Sequence, residues 1–164
     1  MEGTMRSLIA EPITAEAFAP FGVLLEPPEG FGRRYFDEGL ANLRPGALPS
    51  LSIAVIEPLA ALPLKAVRME RHEFSSQSFL PMDGARYLVV VAPHAPDGGP
   101  DARLARAFLA SGRVGITYRA DVWHHPMAVL DRPAAFAIAM WRDGGPQDEE
   151  FAALDTPLAV GLPD

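Results

Sequence analysis

The sequence predicts a mainly all-β domain, a barrel or a sandwich, on three observations. Seventeen prolines, about twice average usage, cut the 164 residues into short segments such as "EPPEG", "RPGALPS" and "APHAPDGGPD". No long window keeps the 3.6-residue periodicity of a helix. Short apolar runs bounded by turn residues, "YLVVVAP" the clearest, dominate instead.

Taken in chain order, the first element is a short helix in "ITAEAFAPFG". Thr14 caps its first turn and Glu16 sits at its positive end. Pro20 and Gly22 stop it. Strands are expected over Leu51–Ile56, Leu64–Phe74, Arg86–Ala92, Leu104–Leu109, Val114–Tyr118, Asp121–Leu130 and Ala134–Arg142. "ASGRVG" reads as a hairpin turn between two of them. The segment after Gly144-Gly145-Pro146 is acidic and then apolar, and is expected to be a short helix or a tail packed on a partner chain.

Composition bounds the function. One domain over 1–164 is expected from the length. With no cysteine, disulfides, thiolate catalysis and zinc–thiolate sites are excluded. The net charge is −7 and no lysine or arginine cluster forms a stripe, so nucleic acid and anionic membrane are poor partners. No apolar run approaches the roughly 20 residues of a membrane span, and the N-terminus lacks a signal-peptide core. A cytoplasmic protein is expected. Lys65, the single lysine, is an unremarkable Schiff-base candidate. A small anionic substrate could bind through local arginines.

Two stretches could carry chemistry. The first is "VRMERHEFSSQSFLPMDG", Val67 to Gly84. Extended, it places Arg68, Glu70, His72 and Phe74 on one face and Val67, Met69 and Arg71 on the other. A solvated row of ion pairs is the plain alternative, worth little energetically. The spacing favours a site. His72 is followed by Gln77, and Gly84 stands seven residues later. This resembles the first motif of the cupin barrels, which runs histidine, a gap, a carboxylate, six residues and glycine. Gln77 occupies the carboxylate's place and can offer only a neutral carbonyl oxygen, so a divalent metal would be held less tightly.

The second stretch is "DVWHHPM". Alternation sets Val122, His124 and Pro126 on one face, with Trp123, His125 and Met127 on the other. His124 is the choice for the inward histidine of a second cupin motif, at roughly the expected spacing from Gly112. His125 is held toward extended geometry by Pro126; it reads equally as a half-buried surface imidazole. Trp123 reads first as core and second as a ligand platform. His94, in a Pro/Gly loop, reads as surface.

Together, "ITAEAFAPFGVLLE", "MERHEFSSQSFLPM", "YLVVVAP" and "GITYRADVWHHPM" make the chain resemble the ureidoglycolate lyase family over nearly its whole length. Some members carry a histidine after the tyrosine of the last stretch. Arg119 stands there in this chain, and no acid–base role is assigned to it. The resemblance implies a cupin-like β-barrel with short helices at the termini, working as a homodimer. It implies cleavage of ureidoglycolate to glyoxylate and urea, the last step in recovering nitrogen from allantoin. It also implies a divalent cation, nickel or similar, and no organic cofactor.

That chemistry needs a base at the substrate hydroxyl, an acid at the departing nitrogen and a cationic hold on the carboxylate. His72 and His124 are the acid–base candidates, with Glu70 as orienting or proton-sharing partner and Gln77 as donor to the carboxylate or ureido carbonyl. Arg68, Arg71, His125 and Trp123 are the candidates for binding substrate. His72, Gln77 and His124 are the candidate metal ligands. Two other readings stay open: a metal-dependent cupin oxygenase or isomerase acting on another small acid, and a non-catalytic small-ligand binder on the same barrel.

Overall fold

The computed structural model describes residues 3–164. The elements run β1 (Arg6–Ile9), β2 (Glu11–Pro12), α1 (Ala15–Phe18), β3 (Gly22–Leu25), β4 (Leu48–Ile56), β5 (Leu64–Arg71), β6 (Gln77–Pro81) and β7 (Gly84–Ala92). They continue as β8 (Arg106–Gly112), β9 (Gly115–Tyr118), β10 (Trp123–His124), β11 (Ala128–Val129), β12 (Ala134–Arg142) and β13 (Glu150–Gly161). One sheet has the order β1-β13-β5-β10-β7-β8-β2, with β11 also on β7; the other has the order β3-β9-β6-β12-β4. The two make a nearly closed, barrel-like all-β fold of the cupin kind.

β7 shows why its sequence is apolar without alternation. Tyr87, Val89 and Val91 face a core shared with Phe79, Phe108, Ile116, Tyr118 and Phe136 of both sheets. Leu88, Val90 and Ala92 face a second core with Met69, Trp123, Leu158 and Val160. A strand covered on both faces reads as one continuous apolar run. Helix α1 forms as its sequence requires: Thr14 Oγ1 accepts from the Ala17 N–H at 3.1 Å. Phe18 then plugs the barrel, edge-on to Phe108 at 5.8 Å.

The structure corrects four local expectations. The strand expected over Leu64–Phe74 ends at Arg71, because the chain turns there and the Ser75 N–H reaches back to the His72 carbonyl at 3.4 Å. The strand expected over Asp121–Leu130 is two pieces, β10 and β11. Pro126, between them, has no N–H to give a ladder. "ASGRVG" is a tight turn but not a hairpin, since β8 pairs with β7 and β2 while β9 pairs with β3 and β6. It carries the chain from one sheet to the other. The C-terminal segment is neither helix nor tail: apart from a single 3-10 turn at Pro146–Asp148, it is the long strand β13, antiparallel to β5 and parallel to β1. Its register shifts between Ala153 and Leu158, around Pro157, and a proline inside a run argues locally against a strand. Among the described residues no helix is long and apolar enough to cross a membrane.

The turn between the sheets depends on two glycines. Gly84 has φ +82°, and a Cβ added at Gly112 would fall 2.0 Å from the Gly84 carbonyl carbon. Gly112→Ala must therefore push two strands apart. We expect a loss of about 1–3 kcal/mol, the range for overpacking a fitted site, measured by urea unfolding; an unchanged midpoint would contradict the close approach.

Candidate active site

The site is built by strand register. β10 lies between β5 and β7, with His124 opposite Glu70 on one side and Val91 on the other. Residues opposite each other in an antiparallel pair project to the same face, so His124 and Glu70 meet. The Asp121 N–H donates to the His72 carbonyl at 2.9 Å, which ties the end of β5 to the start of β10. His72 thus joins the same cluster. The rings of His72 and His124 have centroids 5.4 Å apart, and His124 Nε2 is 3.4 Å from Glu70 Oε1. One ligand atom each from Glu70, His72 and His124 fall within 4.8 Å of one another.

Both imidazoles are fixed by main-chain carbonyls. His72 Nδ1 is 2.8 Å from the Asp148 carbonyl and His124 Nδ1 is 2.9 Å from the Val122 carbonyl. A carbonyl can only accept, so Nδ1 carries the proton in each ring and Nε2 presents a lone pair. These two Nε2 atoms, together with Gln77 Oε1, are buried without a hydrogen-bond partner. Three orphaned acceptors beside one carboxylate are costly unless something fills the space between them. Nitrogen and oxygen donors of this kind suit a divalent transition metal. Glu70, His72 and His124, joined by Gln77, fit that role.

Outer contacts hold the set. His124 stacks on Tyr118 at 4.0 Å with the rings 14° apart. The Asp148 carboxylate accepts from Arg44 at 2.7 Å and from the N–H groups of Asp143 and Gly144 at 3.1 and 2.8 Å. This pins the loop whose carbonyl orients His72. Burial would push the Asp148 carboxyl up, but these donors outweigh it and bring its pKa down to about 2.

Glu70, His72 and Gln77 line a cavity of about 250 Å³ whose other walls include Ser50, Ser52, Met140, Arg142 and Glu149, while His124 sits behind Glu70 and His72 and is not part of its wall. A larger groove of about 490 Å³ lies elsewhere, and none of the clustered residues borders it. Burial raises the Glu70 pKa, yet the neighbouring His124, Glu149 and His72 outweigh it, and it falls to about 2. Glu149 moves oppositely, to about 7, chiefly through its hydrogen bond with Glu70 and then burial. Two neighbouring carboxyl groups resist ionising together, so the more exposed Glu149 holds its proton longer than Glu70. Burial, reinforced by the charge of His124, lowers the pKa of His72.

The sequence-derived candidates thus divide. Glu70, His72, Gln77 and His124 come together. Trp123 lies in the second core, its indole N–H on the Gly98 carbonyl at 3.0 Å. Arg71 lies over the Trp123 ring and pairs with Asp121 and Glu150, each at 2.7 Å. Arg68 is exposed over Phe151. His125 does not line the cavity, although the charges of Glu70, His124 and Arg68 reach it; burial lowers its pKa. The cation in the cavity wall is Arg142, with its Nε 3.7 Å from Asp148 Oδ2. Alternation along β12 sets it on the face of Ile138 and Met140, a signal that the sequence did contain. Glu149 had no such signal, because only the fold brings it to Glu70. Arg119 is exposed and reaches the Glu38 carbonyl at 3.4 Å.

Comparison with known proteins identifies the family. Residues 5–161 match the family model described as ureidoglycolate lyase. A protein of Brucella anthropi named ureidoglycolate lyase is 40% identical over 168 residues, covering 95% of each chain. A putative ureidoglycolate lyase of Agrobacterium fabrum is 35% identical over 160 residues, 98% of each chain. One from Azotobacter vinelandii named ureidoglycolate lyase is 37% identical, covering 97% of this chain and all of its own.

Two outcomes follow from the cluster. Titrating nickel or manganese into chelator-treated protein should show one binding event by calorimetry. His72→Ala or His124→Ala should weaken it beyond the roughly 10–100-fold typical of losing an outer partner of a ligand; undiminished binding would place the metal elsewhere. The second concerns pH. Glu149, at about 7 in the fold against an ordinary 4.5, keeps a proton that the unfolded chain has released. Its contribution to stability is full below 4.5 and is lost as pH rises through about 7. In metal-free protein, Glu149→Gln should therefore gain stability relative to wild type as pH rises across that window. Urea melts at several pH values read the difference, and a flat one would contradict the retained proton.

Proposed function

Because the chain belongs to the ureidoglycolate lyase family, we propose that it cleaves ureidoglycolate to glyoxylate and urea. The observation that carries this reading beyond the family match is the set of inward, unpartnered acceptors on His72, His124 and Gln77 beside Glu70. Neither the oxygenase or isomerase reading nor that of a passive binder is favoured by any feature of the site.

The substrate carbon bears a hydroxyl, a carboxylate and the ureido nitrogen. Collapse moves the hydroxyl proton to that nitrogen, forms the carbonyl of glyoxylate and breaks the carbon–nitrogen bond, releasing urea. No net proton is consumed, so one group that first accepts and then donates suffices. Neither histidine offers a proton at Nε2 in the tautomer that its carbonyl partner imposes. We assign the proton transfer to Glu149, the carboxyl in the cavity wall beside Glu70, whose pKa that neighbour and burial raise. Arg142, in the cavity wall, holds the substrate carboxylate, a task that Arg68 and Arg71 are not placed to perform. Ser50 and Ser52 face the same space and can hydrogen-bond the ureido group. A divalent cation held by Glu70, His72, His124 and Gln77 would polarise the hydroxyl oxygen and ease its deprotonation. The cation is supported by the donor chemistry of these side chains.

Incubation with racemic ureidoglycolate should yield glyoxylate and urea in equal amounts, faster than the blank and with preference for one enantiomer. Ammonia in place of urea would overturn the assignment. His124→Ala, which removes a proposed metal ligand, should lose far more kcat/KM than His94→Ala, which lies in a surface loop and should stay near wild type. Equal losses would put the site elsewhere. Arg142→Ala should chiefly raise KM.

A further inference from the structure

One turn of the chain supplies three parts of the site. Arg142 ends β12 in the cavity wall, the Asp148 carbonyl orients His72, and Glu149 follows it into the same wall. The Asp148 carboxylate holds that turn together, and its side chain is only 9% exposed. Its Oδ1 accepts from the Arg44 guanidinium at 2.7 Å and from the Asp143 N–H at 3.1 Å. Its Oδ2 accepts from the Gly144 N–H at 2.8 Å. The Nε of Arg142 stands 3.7 Å from that same Oδ2, which is too long for a hydrogen bond.

Among the described residues, Arg44 and Arg142 are the two cations paired with Asp148, and they are held differently. Arg44 precedes β4 and does not border the cavity. Its side chain is 12% exposed, lies over the Phe74 ring at 5.5 Å, and reaches Asp143 Oδ2 at 3.0 Å with its other terminal nitrogen. It is committed to the turn. The Arg142 side chain is 54% exposed at the cavity wall, with the long contact to Asp148 as its ion pair. A buried carboxylate left without a cation is strongly destabilising. Arg44 meets that need from outside the cavity. In its absence, the cation within reach of Asp148 is Arg142.

We propose that Arg44 is a positioning residue of the site: by neutralising Asp148 and Asp143 it leaves Arg142 free to hold the carboxylate of the substrate. The inference rests on the role given to Arg142 above. Arg142 is flanked in its own turn by Asp143, Asp148 and Glu149, so without a second cation the turn would satisfy it internally. Deprived of Arg44, the Asp148 carboxylate draws Arg142 into a close, charge-assisted pair. An incoming substrate must then displace an anion tethered beside the guanidinium, which competes at high effective concentration. With Arg44 in place, both aspartates are already paired, the Arg142 contact stays long, and Arg142 changes partner at little cost. Arg44 therefore acts on substrate through Arg142 and touches no reacting atom.

Glyoxylate is the probe, since it carries the carboxylate and its binding is read by calorimetry without turnover. Arg44→Gln should raise the glyoxylate Kd and the KM for ureidoglycolate about tenfold or more, the loss of one charge-assisted contact, with kcat within about twofold. Arg44→Lys, which keeps the charge, should bind glyoxylate within about threefold of wild type. Arg142→Ala should weaken binding as Arg44→Gln does, and the two changes together should be no worse than Arg142→Ala alone. An Arg44 that merely shapes the turn gives another pattern: kcat falls, lysine fails as glutamine does, and the two losses add. That pattern, an Arg44→Gln that binds glyoxylate like wild type, or a wild type that does not bind it, would overturn the proposal. Should Arg44→Gln not fold, Asp148→Asn decides. Removing the competing charge should leave glyoxylate bound as tightly or more so, and binding about tenfold weaker would count against the exchange. Absence of urea and glyoxylate from ureidoglycolate, with this binding pattern intact, would sink the lyase reading and leave the role of Arg44 standing.

Discussion

A two-residue strand carries the organisation of this protein. β10 is only Trp123 and His124, yet it fills the place between β5 and β7 and joins β1, β13 and β5 to β7, β8 and β2 in the large sheet. Its pairing puts His124 against Glu70, and the bond from the Asp121 N–H to the His72 carbonyl locks the neighbouring turn. Asp121 adopts φ +69° to make that bond, and its carboxylate is held by Arg71. A slip of one residue would send Trp123 into the cavity and His124 into the apolar core. The core is what forbids it, since Trp123 is 1% exposed among Met69, Val90 and Leu158.

Folding therefore concentrates cost in one place. The two apolar cores are closed and well filled, while the polar end of the barrel gathers a carboxylate, two imidazoles and an amide with acceptors left over. Buried acceptors without donors oppose folding by about 1–3 kcal/mol each. That arrangement suits a site that is completed by what it binds. The surrounding shell is built for rigidity: the Tyr118 ring fixes one histidine, and the Arg44–Asp148 pair fixes the loop that orients the other.

β4 serves both surfaces of the molecule. Its serines wall the cavity and its aliphatic side chains form an exposed ridge, a direct consequence of two-residue alternation on a nine-residue strand. The cavity and the exposed ridge are thereby placed back to back across one sheet.

By itself the sequence determined the fold class, the helix capped by Thr14, the apolar strand β7 and the shared face of Glu70 and His72, because these rest on local periodicity and capping. It also carried the two histidine stretches whose resemblance pointed to the family, a reading that the comparisons bear out. Only the tertiary structure decided the rest. The identity of β13 as a strand was hidden by Pro157 and a bulge, and pairing with β5 and β1 outweighs that local signal. Arg71 and Arg68, nearest to the histidines in sequence, turn away to Trp123 and Phe151, while Arg142 and Glu149 arrive from about seventy residues downstream. Which charges meet in a cavity is a matter of strand order and register across the barrel, and a short window of sequence contains neither.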